Sequence, residues 1–130
     1  MNRKSLGIQA FLLGASIVLT TAALAGDATI QEVDRSKVCM MEDQVQPRAG
    51  IPHVYQGKTY YLCCQMCVDT FESDAERYSK ATDPVSGRRV DKATAPVLGY
   101  QGRAYFFESD ETRAAFAKEP ARYLGSQRQS

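Results

Sequence analysis

The stretch YQGKTYYLCCQMC, residues 55–67, joins the pattern of a β-hairpin to three of the four cysteines in the chain. Aromatic residues with a high strand preference flank a Gln-Gly pair, which indicates a tight turn between two strands. Cys63 then falls at the end of the second strand, and Cys67 falls in the first turn of a following helix. Because the chain bends sharply between them, we expect both sulfurs to point to one place.

A second copy of this pattern lies 45 residues further along the chain. The stretch YQGRAYF, residues 100–106, aligns with residues 55–61 without a gap, and Phe71 falls over Phe116. A repeat of this period indicates a supersecondary unit rather than a large domain. Each unit is predicted to be strand, turn, strand and helix.

The boundaries of these elements follow from local signals. In the second unit Ser109 is a good N-cap, and the helix is predicted to run to about Lys118. In the first unit the helix is predicted to begin near Cys64 and to run through Phe71, followed by a short turn that ends near Tyr78. The predicted strands are residues 51–55, 59–62, 95–100 and 104–107.

The N-terminus has the features of a secretory signal peptide. Arg3 and Lys4 precede a long uncharged run that ends in the small-residue sequence at residues 23–25. This pattern predicts cleavage after residue 25 and export, which in a Gram-negative bacterium means the periplasm. An uncleaved membrane anchor is the alternative, but polar residues within the run favour cleavage, so we expect no membrane attachment of the mature chain.

Charge and composition exclude several classes of function. Loss of Arg3 and Lys4 with the signal peptide takes the formal net charge from +1 to −1. Without a block of basic residues, the chain offers no electrostatic footprint for nucleic acid. A single histidine and the absence of a glycine-rich phosphate loop give no basis for a hydrolase or a nucleotide-binding protein. We therefore expect a binding protein and not an enzyme.

The first unit resembles a known family of small modules. Cys39, the Tyr-x-Gly-Lys hairpin and the pattern Cys63-x-x-x-Cys67-x-x-x-Phe71 are similar to the TRASH/YHS group of heavy-metal-binding modules. The resemblance implies a role in metal trafficking, resistance or sensing. Cys64 is an addition to the family pattern and occupies the position that Ser109 has in the second unit.

The second unit resembles the YHS form of the same group more closely in its framework. Residues 83–87, DPVSG, and the hairpin and helices up to Leu124 carry this resemblance. The family's cysteine positions here hold Ser86, Glu108 and Thr112. We therefore interpret the second unit as a partner that helps the first one to build a core.

These observations predict an α+β fold of two tandem strand-turn-strand-helix modules of the zinc-ribbon or treble-clef type, packed together. The predicted divisions are a signal peptide at residues 1–25, an N-terminal segment at 26–37, a TRASH-like module at 38–79, a degenerate YHS module at 80–124 and a tail at 125–130.

Cys39, Cys63 and Cys67 are the predicted metal ligands. A helix N-terminus is expected to lower the pKa of a cysteine such as Cys67 and to favour the thiolate, the form that binds metal. Soft thiolates together with nearby methionines favour copper as Cu(I). Zinc is the alternative metal, with Cys64 or His53 completing a tetrahedral site.

Four further residues are candidate ligands in addition to the three cysteines. Cys64, Met40 and Met41 offer additional sulfur donors, and His53 is the single histidine of the chain. In the second unit His53 is replaced by Leu98, so the histidine and the thiols are absent together. Met66 is interpreted as a flexible packing residue rather than a ligand.

Two interpretations without metal stay open. An exported chain with four cysteines can form two disulfides, which would make the site a structural staple or interaction module. Cys64 and Cys67 also form a C-x-x-C pattern, as in thiol-disulfide redox proteins, but the βαβ context of such motifs is missing. The expected partners are a metal ion, a copper-transport or copper-enzyme protein, and a second copy in a homodimer.

Overall fold

The computed structural model of the protein describes residues 29–125, and the predicted α+β class is confirmed. The predicted signal peptide and the last five residues of the predicted tail lie outside the described residues. Among residues 29–125, no helix combines the length and apolarity that a bilayer crossing requires.

The strands are β1 (Ile30–Gln31), β2 (Val38–Cys39), β3 (Gln44–Val45), β4 (Ile51–Tyr55), β5 (Lys58–Leu62), β6 (Lys80–Thr82), β7 (Arg89–Asp91), β8 (Val97–Tyr100) and β9 (Arg103–Phe106). The helices are α1 (Gln65–Ser73), α2 (Ala75–Tyr78), α3 (Asp110–Lys118) and α4 (Pro120–Gly125), and a 3-10 turn at Arg35–Lys37 precedes β2.

Two hairpins are each followed by a pair of helices. Strands β4 and β5 lead into α1 and α2, and strands β8 and β9 lead into α3 and α4. In the first turn Gln56 and Gly57 have φ angles of 49° and 74°, and in the second Gln101 and Gly102 have φ angles of 52° and 77°. Two consecutive positive φ angles match the twist of the flanking strands, which explains why a Gln-Gly pair forms both turns.

The two main helices begin with the same backbone but with different caps. Cys64 precedes α1 at φ −157° and ψ 168°, and Ser109 precedes α3 at φ −153° and ψ 166°. The Ser109 hydroxyl accepts a hydrogen bond from the N–H of Thr112 in a capping box, whereas Cys64 makes no side-chain cap hydrogen bond. The short turn predicted after the first helix is α2, whose N-cap is Asp74.

A five-stranded antiparallel sheet, in the order β1-β8-β9-β3-β2, extends the second hairpin. The sequence does not predict this sheet, because three of its strands are only two residues long and show no periodicity. Gln44 in β3 pairs with Arg103 in β9, and β2 pairs with β3. The second hairpin therefore carries the strand that contains Cys39.

Aromatic packing is nearly the same in the two units. The ring centroids of Tyr60 and Phe71 are 5.1 Å apart with an interplanar angle of 40°. Those of Tyr105 and Phe116 are 5.0 Å apart at 37°. In both units the tyrosine belongs to the hairpin and the phenylalanine to the first helix, so these pairs hold each helix against its own hairpin.

One core cluster spans both units. Its buried residues come from β2, β5 and α1 on one side and from β8 and β9 on the other. A second cluster of buried residues lies within the second unit, around Phe116. The larger cluster consists of Val38, Cys39, Met40, Tyr60, Leu62, Cys67, Val68, Phe71, Ala95, Val97, Ala104 and Phe106.

A carboxylate ties the two units together. The sequence predicts only a short joining segment at residues 80–83, but there β6 forms an antiparallel pair with β7. Asp91 at the end of β7 accepts hydrogen bonds from Lys58 Nζ at 2.7 Å, Tyr60 Oη at 2.9 Å and Lys80 Nζ at 3.1 Å. Because Lys58 and Tyr60 belong to β5, Asp91 fastens the first hairpin to the second unit.

Candidate metal centre

Three thiols converge at the start of α1. The sulfur atoms of Cys39, Cys63 and Cys67 all lie within 4.8 Å of one another, and the Sγ atoms of Cys63 and Cys67 are 3.4 Å apart. All four cysteines, including Cys64, are free thiols. Cys39 and Cys67 are buried, whereas Cys63 is exposed. The three cysteines are thus brought together as the sequence predicts.

Cys39 is positioned by the backbone on both of its sides. It pairs with Gln44 of β3, and the N–H of Met40 donates to the carbonyl of Tyr61 in β5 at 2.9 Å. The carbonyl of Met40 accepts from Lys92 Nζ at 2.7 Å, and Lys92 is 4 % exposed. Hydrogen bonds therefore fix the chain immediately after Cys39 to the strand that ends before Cys63.

The buried Lys92 is itself neutralised by a carboxylate. Its Nζ lies 2.6 Å from the Oδ1 atom of Asp43. Burial raises the pKa of Asp43, and the Lys92 ammonium acts in the opposite direction. This ion pair holds the β2–β3 turn against the second unit, so the position of Cys39 depends on residues more than 50 positions away in the chain.

Cys63 and Cys67 are placed by the sharp end of β5. Leu62 is fully buried, and a Cβ atom on Gly50 would lie only 2.7 Å from its carbonyl oxygen, so the two segments require a glycine there. Cys64 then adopts the extended N-cap conformation, and Cys67 is the third residue of α1. This bend directs both sulfurs to the same side of the chain.

The electrostatics of the thiols differ from the sequence expectation. Hydrogen bonding to Cys39, together with burial, raises the pKa of Cys63 to about 11. Burial and the neighbouring thiols raise the pKa of Cys67, so the expectation of a lowered value there is wrong. The backbone N–H of Cys67 lowers the pKa of Cys64 instead, although its geometry falls short of a cap hydrogen bond.

This arrangement fits a soft cation. Three sulfurs around an ion with metal–sulfur distances of about 2.3 Å would be separated by about 4 Å in a trigonal site. The three sulfur–sulfur separations are at most 4.8 Å, and the one between Cys63 and Cys67 is 3.4 Å, so small shifts would allow such a site. Neighbouring thiolates repel one another, so the thiols hold their protons until a cation replaces them.

The other predicted donors lie around this cluster rather than in it. His53 packs edge-on against Phe71 with ring centroids 5.5 Å apart, and its Nδ1 lies 3.7 Å from the Glu72 carboxylate. Within residues 29–125, the only group of cysteine, histidine and carboxylate donors close enough for a metal contains the three cysteines and leaves His53 and Cys64 out.

The methionines differ strongly in exposure. Met40 is fully buried in the larger core cluster, and Met41 is half-buried against it. Met66 is 76 % exposed, so its interpretation as a packing residue is wrong. The reason is its place on α1, whose buried face is formed by Cys67, Val68 and Phe71.

A cleft opens beside Cys63. It has a volume of about 310 Å³. Its other lining residues form the loop between β3 and β4, and a loop of this kind has no sequence pattern from which a cleft could be predicted. Within residues 29–125, Arg48 on this loop makes no ion pair. The lining residues are Gln46, Pro47, Arg48, Ala49, Gly50 and Cys63.

In the second unit a buried carboxylate occupies the region where the first unit has its thiols. Asp83 is fully buried and accepts hydrogen bonds from the N–H groups of Val85 at 2.7 Å, Ser86 at 3.2 Å and Glu108 at 2.8 Å. It also accepts from the Thr112 hydroxyl at 2.7 Å. Burial opposes ionisation of Asp83, but these hydrogen bonds outweigh it and lower its pKa.

Sequence reasoning missed the role of Asp83, although Asp-Pro at a turn is a recognisable signal. The residues predicted to stand at the family's cysteine positions, Ser86, Glu108 and Thr112, surround this carboxylate. In the second unit, hydrogen bonds to Asp83 therefore join the end of β9 to the start of α3.

Comparison with protein families identifies this second unit. Residues 81–127 are a YHS domain. The match covers less than half of the chain, and it begins after the three clustered cysteines. YHS domains are associated with metal binding, so the thiol cluster lies next to a domain of that class and outside its matched residues. Searches of curated proteins and of solved structures found no match.

Proposed function

We propose that this protein binds Cu(I) through the thiolates of Cys39, Cys63 and Cys67. The observation that carries the proposal is the convergence of three thiols from a strand, a strand end and a helix start within 4.8 Å. Three thiolates form a soft donor set, which prefers Cu(I) to hard cations. The adjacent YHS domain supports a metal-binding role.

We also propose that residues 38–79 are a TRASH-like module and that the chain contains two copies of one unit. The close agreement in ring geometry supports this proposal. The Tyr55 and Phe71 centroids are 6.1 Å apart at 83°, and those of Tyr100 and Phe116 are 6.0 Å apart at 90°. In this proposal the YHS domain retains the hairpin and helices of the repeat and packs against the first copy in a shared core. The first copy binds the ion.

The proposed role is copper trafficking, buffering or resistance in the periplasm, without catalysis. The signal-peptide pattern at residues 1–25 supports export. Exposure of Cys63 beside an open cleft supports exchange of the ion with a copper-transport or copper-enzyme partner. Association of two copies as a homodimer is a further part of this proposal.

Zinc is the second candidate ion, and one observation favours it. Cys64 lies beside the cluster, and its thiolate is stabilised by the N–H of Cys67. A fourth thiolate would complete the tetrahedral coordination that structural zinc requires. Cu(I) is satisfied by three sulfurs, so the effect of Cys64 on affinity separates the two ions.

Anaerobic titration of the reduced protein, with Cu(I) and Zn(II) in competition for a chromophoric chelator, tests the proposal. We expect one equivalent of Cu(I) to bind and each of Cys39→Ser, Cys63→Ser and Cys67→Ser to lose most of the affinity. Ser86→Ala, in the YHS domain, is the control and should bind like the wild type. Equal binding by all variants would refute the site, and a thiol count near zero before reduction would favour the disulfide alternative.

A further inference from the structure

Soft donors are exposed where β5 ends and α1 begins. Cys63 and Cys64 are exposed, and Met66 is the most exposed large apolar residue among residues 29–125. Cys39 and Cys67 are buried. An ion held by the three clustered thiols therefore reaches solvent on the side of Cys63.

Helix capping does not explain Cys64. Its backbone conformation is that of Ser109, yet only Ser109 makes a cap hydrogen bond, because a thiol is a weak acceptor. Burial does not explain it either, since the residue is exposed. The first unit thus leaves a helix start uncapped and places a free thiol at the surface.

We propose that Cys63, Cys64 and Met66 form a metal-exchange face, on which Cys64 is the first thiolate to receive Cu(I) from a thiol-bearing carrier and the last to release it. This inference rests on the proposed function. It assigns Cys64 a kinetic role, distinct from that of a resident ligand. Met66 adds an exposed thioether in the first turn of α1, two residues after Cys64.

The surroundings of Cys63 suit a small anionic thiol as the carrier. The cleft of about 310 Å³ gives such a molecule room next to the Cys63 sulfur. Arg48 lines this cleft and forms no ion pair in the part of the chain that the structure describes. Its guanidinium can therefore attract a carboxylate of the carrier.

Each step is a ligand exchange, and no electron is transferred. A bond forms between Cu(I) and the Cys64 sulfur as a bond to the carrier sulfur breaks, and the released carrier thiolate takes up a proton given off by the protein thiols. The ion then gains bonds to Cys63, Cys39 and Cys67 as its bond to Cys64 breaks. Of the three protons that these thiols lose, one returns to the Cys64 thiolate and the other two pass to the solvent. Release follows the same steps in reverse.

Stopped-flow absorbance under anaerobic conditions tests the proposal in both directions. Uptake is measured with the Cu(I)–glutathione complex as donor, and release with bicinchoninate as acceptor. We expect Cys64→Ser to slow both rates by about tenfold or more at unchanged equilibrium affinity. Met66→Leu, which keeps the apolar bulk, should have a smaller effect, and Ser86→Ala should behave like the wild type.

The possible outcomes separate this proposal from the proposed function. Unchanged rates in Cys64→Ser overturn the exchange role. A lower equilibrium affinity in Cys64→Ser also overturns it, because Cys64 would then be a resident fourth ligand. Wild-type protein that takes up no Cu(I) overturns the proposed function itself, and this inference with it.

Discussion

The two hairpin–helix units close the junction between strand and helix with different chemistry. In the first unit the thiols of Cys39, Cys63 and Cys67 meet at this junction. In the YHS domain the buried Asp83 accepts hydrogen bonds from Glu108 and Thr112 on the strand end and the helix. The hairpin turns and the aromatic pairs of the two units are nearly the same.

This difference indicates which unit offers donors to a metal ion. A carboxylate surrounded by four internal donors is satisfied by the chain itself. Thiols are weak hydrogen-bonding groups, and their proximity raises the pKa of Cys63. The framework can therefore be completed without thiols, and the thiols of the first unit are better explained by a ligand than by the fold.

The largest expected effect is stabilisation of the first unit by metal. Cu(I) at a free concentration of about 1,000 times its dissociation constant should stabilise the folded protein by about 4 kcal/mol, less any binding to unfolded thiols. Thermal unfolding followed by circular dichroism, without oxygen, measures this shift. Cys67→Ser should remove it. A similar shift in a variant without cysteines would show that the ion binds elsewhere. The contrast between a metal-binding first unit and a hydrogen-bonded second unit would then be wrong.

Removal of the Asp83 carboxylate should have the next largest effect. Asp83→Ala leaves four partly buried donors without their acceptor, so we expect the free energy of unfolding to fall by about 3 kcal/mol. Urea unfolding at neutral pH measures this loss. Asp110→Asn changes an exposed carboxylate of the same domain and serves as the control. A loss no larger than that of the control would show that the YHS domain does not depend on this carboxylate.

Acid should weaken the contact between the two units through Asp91. Burial acts to raise the pKa of Asp91, but hydrogen bonds from Lys58, Ala93 and Tyr60 outweigh it and lower the value from 3.8 to about 2. Because the folded-state pKa is the lower one, the stabilisation is present above the unfolded value of 3.8 and is lost as the pH falls towards about 2. The shift corresponds to about 2 kcal/mol.

Urea midpoints measured across this acidic range test the role of Asp91. Asp91→Asn cannot ionise at this position, so its stability should change less with pH than that of the wild type. An equal loss of stability in the two proteins would assign the acid sensitivity to other carboxylates, such as Asp83, whose pKa is also lowered.

The smallest expected effect concerns the two helix caps. Cys64→Ser should restore the hydrogen bond that Ser109 makes in the YHS domain and stabilise the metal-free protein by about 1 kcal/mol. The converse change, Ser109→Ala, should destabilise it by a similar amount. Thermal unfolding of the reduced, metal-free proteins measures both. Destabilisation by Cys64→Ser would mean that the thiol has a structural role in the apo protein.

Much of the local structure could be predicted from the sequence. Strand β4 has its predicted bounds, and the other hairpin strands differ from prediction by one or two residues at one end or, for β9, by one residue at both ends. The cap residues Cys64 and Ser109 were also predicted, because caps and tight turns depend on a few neighbouring residues. Convergence of Cys63 and Cys67 follows from the same local bend.

Other features could not be predicted because they depend on distant residues. The carboxylate of Asp83 accepts hydrogen bonds from the N–H of Glu108 and the hydroxyl of Thr112, which are 25 and 29 positions away. The raised pKa of Cys67 arises from burial and from the neighbouring thiols, one of which, Cys39, is 28 positions away in the chain. A packing role is wrongly predicted for Met66 because α1 has only nine residues, and the side of so short a helix that faces the core depends on tertiary contacts.

Local sequence signals specify two hairpin–helix units, their turns and caps, and a set of soft donors in one of them. The tertiary structure decided which donors meet. Cys39 lies close to Cys63 and Cys67 because β2 is part of the sheet formed by the hairpin of the YHS domain. In addition, Lys92 donates a hydrogen bond to the carbonyl of Met40, the residue after Cys39. Short strands and buried ion pairs gain their stability from partners far along the chain, and this information is not present in any local pattern.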